Sequence, residues 1–154
     1  MAYDDYRHRV PLRVRWAEAD MQGVVFNGHY LTYCDICLTE YWRALGIRYP
    51  EEFVAQGSDT FVRKATVEYH APARFDDALE ICGRTARIGR SSLSFVVEMF
   101  RRGEPDRTLI GAELVYVNAD PKAGVSMPWS EGFRQRVREF EALAPVESQE
   151  RAHG

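Results

Sequence analysis

Apolar and polar residues alternate near the start of this chain in the pattern of a β-strand. Between Val10 and Trp16, large apolar side chains occupy every second position, and Pro11, Arg13 and Arg15 lie between them. A period of two is typical of a strand that buries one face and exposes the other. The pattern predicts a first strand over about residues 8–16.

Four more strands are predicted in the second half of the chain. They are separated by short segments rich in Pro, Asp and Gly, which favour turns. Strands joined by short turns indicate an antiparallel meander, and the alternation between Leu93 and Met99 indicates one packed face and one solvated face. The predicted bounds are about 59–71, 78–88, 92–102 and 107–119.

Residues 28–45 carry apolar side chains at helical spacing and predict the longest helix of the chain. Asn27 stands where an N-cap is expected, and Gly46 follows the last apolar turn, as in helices that end on a left-handed residue. Polar side chains form only a narrow strip, so this helix is expected to be largely enclosed. A second amphipathic segment over 130–143, with Ser130 as N-cap, predicts a surface helix.

The long helix is apolar enough to cover the packed face of the sheet. The economical architecture is therefore α+β: a curved antiparallel β-sheet wrapped around a long central α-helix, which is the hotdog fold. The sequence shows no internal repeat and no low-complexity linker. Residues 1–145 are predicted to form a single domain, and residues 146–154 a mobile C-terminal tail.

Composition and charge exclude several classes of function. The chain has 154 residues and a formal net charge of -3, so there is no global basic field to hold a nucleic-acid backbone. Residues 1–16 lack the uninterrupted apolar run of a secretory signal peptide, and no segment approaches the roughly 20 apolar residues that cross a bilayer. We therefore expect a cytoplasmic protein that binds neither nucleic acid nor membrane.

The three cysteines, Cys34, Cys37 and Cys82, are expected to be reduced packing residues. They are odd in number and lie within apolar, regularly patterned segments. Cys34 and Cys37 form a C-x-x-C pair in the middle of the predicted helix, whereas redox pairs lie at helix starts, where the dipole lowers the pKa of a thiol.

The segment between the first strand and the long helix carries the candidate chemistry. It places Asp20 just before a helix N-terminus, where unpaired backbone N–H groups suit the oxyanion that forms when a carbonyl is attacked. The alternative is that Asp20 only caps a turn. Glu18 is a competing carboxylate, which we expect to be solvated.

The same segment resembles a known enzyme family. The pattern Asp20-x-x-Gly23, three apolar residues, a polar residue at Asn27 and then Tyr30 is similar to the signature of the 4-hydroxybenzoyl-CoA thioesterase family. The likeness continues in the family's order through three later segments and spans about residues 10–120. These segments are 40–46, 67–77 and 87–93.

The resemblance implies hydrolysis of an acyl-CoA thioester with Asp20 as nucleophile or general base. The backbone N–H of Asn27, at the start of the helix with Gly28, would polarise the thioester carbonyl. Members of this family often carry His or Tyr where this chain carries Asn27, so only the backbone donor is transferred. The sequence contains no G-x-S-x-G motif, Gly-rich dinucleotide loop or metal-ligand spacing, so no cofactor and no metal are expected.

Two further residues are candidates for acid–base chemistry. His29 lies beside the site and titrates near neutral pH; the alternative is a surface residue of the first helical turn. Glu40 lies in the last half of the long helix, and related thioesterases use a helix Glu as base. Its alternative is an exposed partner of Arg43 or Lys64.

Substrate contacts are predicted in two places, the last segment of the resemblance and the residues around the Asp20 motif. The basic turn at Arg87 and Arg90 is the candidate site for the phosphates of coenzyme A, and the alternative is a solvated strand face. Ser91 and Ser92 follow this turn and are candidates for binding the pantetheine arm. Gly23 is a further candidate for substrate binding, and the residues expected to line the acyl site are Phe26, Tyr30, Tyr33 and Trp42.

The resemblance also implies a homo-oligomer. Sites of this family lie between two subunits, and a wrapped sheet leaves an edge that pairs with a second copy. We therefore expect a homodimer or homotetramer. The alternative function is a non-catalytic hotdog protein that binds an acyl-CoA or a protein partner.

Overall fold

The computed structural model describes residues 3–149, and it contains a curled, mainly antiparallel β-sheet. The main strands have the spatial order β1-β3-β4-β5-β2, so β1 and β2 form the two edges. Their bounds are β1 His8–Arg13, β2 Asp59–Tyr69, β3 Ala78–Ile88, β4 Ser92–Arg101 and β5 Thr108–Asp120. The predicted strand order along the chain is confirmed, with ends that move by a few residues.

Two short strands extend the sheet. The first, β6 (Val125–Ser126), pairs with β5, and the second, β7 (Val146–Glu147), pairs in parallel with the end of β3. The Ser148 N–H also donates to the carbonyl of Ile88 at 2.8 Å. The fold therefore includes residues 146–149, which the sequence assigned to the tail, while the rest of the tail lies outside the described residues.

The long helix α1 spans His29–Ala44 and begins one residue later than predicted. Its N-cap is Gly28, not Asn27, and no side chain caps the helix. Its end is as predicted: Gly46 has φ +77°, and the N–H groups of Gly46 and Ile47 donate to the carbonyls of Arg43 and Trp42 at 3.0 and 2.9 Å. This pair of hydrogen bonds is the Schellman motif.

Two shorter helices follow. The helix α2 (Glu51–Ala55) was not predicted, because five residues are too few to show a helical period. The helix α3 (Glu131–Phe140) begins as predicted, with the Phe133 N–H donating to the Ser130 hydroxyl at 3.1 Å. It ends before residue 143 because Glu141 adopts an extended backbone and turns into the core.

The helix α1 packs on the concave face of the sheet. Helix and sheet approach each other closely at Gly83 of β3, where an added Cβ would lie 2.7 Å from Cys37 Sγ and 2.4 Å from a ring carbon of Phe95. The Tyr41 and Phe95 rings also meet, with centroids 4.9 Å apart. Only glycine fits at this position, so Gly83 fixes the distance between helix and sheet.

The convex face of the sheet is not fully solvated, in contrast to the prediction. A short 3₁₀ turn at Tyr3–Asp5 leads into Tyr6, which packs on Cys82 and Phe100 of the outer face. The Tyr6 hydroxyl donates to Glu98 at 2.8 Å. The N-terminal segment therefore gives β3 and β4 a second buried face.

Edge strand β2 is only partly covered by α1. Its concave-face residues Val62 and Tyr69 pair across from the buried Tyr116 and Ile110 of β5. The β5 residues are covered by the core, yet Val62 and Tyr69 are 57% and 56% exposed. Within the described chain, the protomer thus leaves an unpaired strand edge and apolar side chains at the same place.

All three cysteines are free and buried, as predicted for packing residues. Burial raises the pKa of the Cys34 and Cys82 thiols to about 12. Among the helices of residues 3–149, none combines the length and hydrophobicity needed to span a bilayer.

The buried His8 gives the fold a pH dependence that can be measured. Its Nε2 lies 2.9 Å from the Cys37 carbonyl, which can only accept, so Nε2 carries the proton of a neutral ring. Burial lowers the pKa of His8. His8 therefore takes up its second ring proton at a higher pH in the unfolded chain than in the folded protein.

We expect the wild-type protein to lose stability relative to His8→Gln as the pH falls from about 7 to about 5. The Gln amide can donate to the same carbonyl but does not titrate in this range. Urea unfolding of both proteins at several pH values measures the difference, and subtraction removes contributions from other groups. A difference that does not change with pH would contradict a neutral, buried His8.

Candidate active site

The Asp20 segment is a tight turn that precedes α1. The Asp20 N–H donates to the Val24 carbonyl at 2.8 Å, and the Gly23 N–H donates to the Asp20 carbonyl at 3.0 Å. Gly23 has φ +77°, a left-handed conformation that favours glycine. Ala19 and Val25 pair across the base of the turn. The Asp20-x-x-Gly23 spacing is therefore the spacing of the turn itself.

The Asp20 carboxylate is exposed at this turn. One oxygen accepts a hydrogen bond from the Gln22 N–H at 2.8 Å, so the side chain also stabilises the turn, as the alternative interpretation expected. Burial raises the pKa of the Tyr30 hydroxyl, and the negative charge of Asp20 adds to this shift. The turn leads directly into α1, since the Phe26 N–H donates to the Glu18 carbonyl and Asn27 follows.

Two consecutive backbone amides are available at the start of α1. Within residues 3–149, neither the Asn27 nor the Gly28 N–H donates a hydrogen bond, and both residues are exposed. The flanking N–H groups are occupied, since Phe26 donates to Glu18 and His29 donates to Phe26. Unpaired amides at a helix N-terminus carry partial positive charge and can bind an oxyanion.

The sequence profile of the Thioesterase superfamily matches residues 22–108 of this chain. The chain belongs to this superfamily. The acyl-CoA thioester hydrolase YbgC of Escherichia coli O6:H1 is 34% identical over 114 residues, which cover 73% of this chain and 82% of that protein. The protein is therefore a thioester hydrolase.

Solved structures confirm the hotdog fold. A thioesterase from Thermus thermophilus, crystallised with coenzyme A and Zn, has a TM-score of 0.76 and 25% identity over 91% of this chain and 98% of that one. The PA5185 protein of Pseudomonas aeruginosa has a TM-score of 0.78 and 22% identity over 93% of this chain and 97% of that one.

Next to the turn, the thioesterase presents aromatic side chains. Phe26 is 49% exposed and meets the half-buried His29 edge to face, with ring centroids 6.0 Å apart. The Tyr69 hydroxyl, at the end of β2, donates to the Asn27 carbonyl at 3.4 Å. The predicted residues Phe26 and His29 thus flank Asn27, which an edge of the sheet also contacts.

Two predicted acyl-site residues, Tyr30 and Tyr33, lie in the core. The Tyr30 hydroxyl accepts from the Ala73 N–H at 3.0 Å. The Tyr33 hydroxyl donates to Glu18 at 2.8 Å, and this side chain is 0% exposed. Both hydroxyls hold connecting segments against α1, because a buried hydroxyl needs a hydrogen-bond partner.

The prediction that Glu18 is solvated is wrong. Its carboxylate is buried and accepts hydrogen bonds from the Arg15 N–H, from the Arg15 guanidinium and from Tyr33. Burial alone would raise the pKa of Glu18, but these hydrogen bonds and the Arg15 charge lower it below its ordinary value. The spacing Arg15-x-x-Glu18 was the signal in the sequence, since residues three apart meet across one turn.

Glu40 is not near the Asp20 turn. It pairs with Arg43 on the outward strip of α1, as its alternative interpretation expected. At 1.5 Å per residue it lies about 20 Å along the helix from Asn27. Its carboxylate therefore does not face the same carbonyl as the Asn27 amide within one protomer.

The predicted coenzyme A residues lie at the opposite end of the sheet from Asp20. Phe75, just before β3, donates to the Gly23 carbonyl at 3.0 Å, whereas Arg87 is at the far end of β3. At about 3.3 Å per residue, the separation along the strand is about 30 Å. Arg87 is exposed, and Arg90 contacts the Ser126 hydroxyl at 3.4 Å.

The side chains of Ser91 and Ser92 are buried beside this turn. Their carbonyls are already hydrogen bonded: Ser91 accepts from the Asn118 N–H at 2.8 Å, and Ser92 accepts from the Trp129 indole at 2.9 Å. These residues hold the turn that presents Arg87 and Arg90.

Proposed function

We propose that this thioesterase hydrolyses an acyl-CoA, with Asp20 as nucleophile or general base and the Asn27 amide as oxyanion donor. The observation that carries the proposal is an exposed carboxylate on a closed turn, next to two amides at the start of α1 that are unpaired within the described chain. The name of the Escherichia coli relative, an acyl-CoA thioester hydrolase, supports coenzyme A as the leaving group.

This arrangement supplies both groups that thioester cleavage requires. The Asn27 N–H, with Gly28 beside it, would donate to the carbonyl oxygen as negative charge develops there. Asp20 would either attack the carbonyl carbon or take a proton from an attacking water, and the thiolate of coenzyme A would leave. Glu18 is excluded as this base because its oxygens already accept four hydrogen bonds.

A homodimer would complete the sheet. The edge strand β2 has 11 residues, and its side chains are mostly exposed. The other edge, β1, has six residues and contains Pro11, which has no N–H to donate. The long edge of β2 is therefore the better pairing partner for a second copy. Tyr69 brings this edge to Asn27, so the boundary would pass beside the active site.

The distance between Asp20 and Arg87 suggests how a dimer would bind coenzyme A. In one protomer they lie at opposite ends of β3, as shown above. A second copy related by a two-fold axis places its own sheet in the opposite direction. Each site would then combine Asp20 and Asn27 of one protomer with Arg87 and Arg90 of its partner.

Asp20→Asn should lower kcat by about 10² or more while folding is retained, because the substitution keeps size and hydrogen bonding but removes the negative charge. The measurement is steady-state hydrolysis of a panel of short, long and aromatic acyl-CoAs with a thiol reagent. Thermal unfolding is followed alongside, since weakening the contact with the Gln22 N–H can cost up to about 1 kcal/mol.

Asp120→Asn is a matched control for this experiment. Asp120 accepts from the Lys122 N–H at 2.8 Å, as Asp20 does from Gln22, and a left-handed Gly124 closes its turn. The control should lose similar stability and keep its turnover. Wild-type kcat in folded Asp20→Asn would refute the proposed role of the carboxylate.

Replacing Arg87 and Arg90 together by Ala should raise KM for the best acyl-CoA about tenfold, the effect of losing a charge-assisted hydrogen bond. Hydrolysis of a minimal pantetheine thioester, which lacks the nucleotide phosphates, should not change. Equal effects on both substrates would remove these residues from the coenzyme A site.

Mixing experiments test the shared site. Asp20→Asn should be co-expressed with the Arg87→Ala/Arg90→Ala variant, each with its own affinity tag, and the heterodimer purified. If each site takes Asp20 and the arginines from different protomers, one of the two sites is intact and activity at low substrate returns. A heterodimer that keeps the raised KM of the arginine variant, or a fully active monomer by light scattering, would contradict the model.

A further inference from the structure

Glu18 has the chemistry of a fixed support for the active-site turn. It is 6% exposed, and its two oxygens accept from the Arg15 N–H at 2.8 Å, Arg15 Nε at 3.0 Å, Arg15 Nη2 at 2.6 Å and the Tyr33 hydroxyl at 2.8 Å. A charged carboxylate with four donors has a single low-energy orientation.

The backbone of Glu18 closes the turn on which Asp20 lies. Its carbonyl accepts from the Phe26 N–H at 3.0 Å, and the neighbouring Ala19 pairs with Val25. These two contacts close a loop that contains Asp20, and Asn27 follows the loop directly. Moving Glu18 therefore moves both groups that the proposed reaction uses.

The side chain of Glu18 connects this turn to α1. Tyr33 lies one helical turn beyond His29, so its hydroxyl joins the Asp20 turn to the same helix whose N-terminal amides are proposed to bind the oxyanion. Tyr30 attaches the segment between β2 and β3 to the same helix, because its hydroxyl accepts from the Ala73 N–H. The rings of Tyr30 and Tyr33 pack edge to face, with centroids 6.0 Å apart. Together they fix the turn relative to the helix.

We propose that Glu18 is a positioning residue, held by Arg15 and Tyr33, that sets the distance between the Asp20 carboxylate and the Asn27 amide. It does not touch the substrate. This assignment rests on the proposed function of Asp20 and Asn27. Its chemical basis is that a displacement of about 1 Å in a catalytic group can cost about 10²-fold in rate.

Two substitutions loosen the contact without removing a large side chain. In Glu18→Gln, an amide NH₂ must face either the Arg15 N–H or its guanidinium, and two donors repel. In Tyr33→Phe, the ring stays in the core but the link between the turn and α1 is lost. Each variant should lower kcat about tenfold and leave KM nearly unchanged, because it displaces only the groups that act on the reacting carbonyl.

A double variant separates positioning from general stability. Asp20→Asn/Glu18→Gln should lose less than the product of the two single losses, because the position of a carboxylate that is absent no longer matters. Independent effects would multiply. The readouts are kcat and KM on the best acyl-CoA, with urea unfolding of each variant.

The chain offers a matched control at the other end of α1. Glu141 is also a buried carboxylate that accepts from a tyrosine hydroxyl of α1, at 2.5 Å from Tyr41, and from a backbone N–H, at 2.7 Å from Thr85. Glu141→Gln and Tyr41→Phe make the same chemical changes far from the turn. They should lower stability and keep the wild-type kcat.

The possible results distinguish the two proposals. Wild-type kcat in both Glu18→Gln and Tyr33→Phe, with Asp20→Asn inactive, would overturn the positioning role and leave the proposed function standing. Losses that multiply in the double variant would also overturn it. Active Asp20→Asn would instead overturn the proposed function, and this assignment with it. If Glu18→Gln does not fold, Tyr33→Phe decides the question.

Discussion

The structure depends on how α1 satisfies the polar groups of its own buried face. Tyr30, Tyr33 and Tyr41 are at most 2% exposed, so each hydroxyl must find a partner inside the protein. Tyr30 binds the Ala73 amide, Tyr33 binds Glu18, and Tyr41 binds Glu141 and Thr85. Three connecting segments are thereby attached to one helix, which itself lies against the sheet at Gly83.

This constraint explains why the groups of the proposed active site lie where they do. The segment after β1 must bring Glu18 to Tyr33, and the turn that follows is then short and closed by Gly23. Asp20 is left outside, exposed, while the chain re-enters α1 through two amides that find no acceptor in residues 3–149. A carboxylate in solvent beside a helix N-terminus is thus a consequence of how the buried carboxylate is held.

The proposed dimer follows from what the helix does not cover. One helix on the concave face covers the inner residues of β3, β4 and β5, but on β2 it leaves Val62 and Tyr69 more than half exposed. This exposed edge meets the segment of the proposed active site at Tyr69 and Asn27. In this arrangement, the surface that a second copy would bury and the surface that a substrate would reach are continuous.

The sequence by itself determined the local features of this protein. Alternation predicted the strands, helical spacing predicted α1 between Gly28 and Gly46, and the Asp20-x-x-Gly23 motif predicted the loop before this helix, because each of these depends on residues that are neighbours along the chain. Only the tertiary structure decided the rest. Whether Glu18 is solvated or buried depends on Arg15 and on Tyr33, which belongs to another element. The separation of Asp20 from Arg87 depends on the course of β3, and the end of α3 depends on Glu141 reaching Tyr41. Such contacts join residues far apart in sequence, and periodicity carries no information about them.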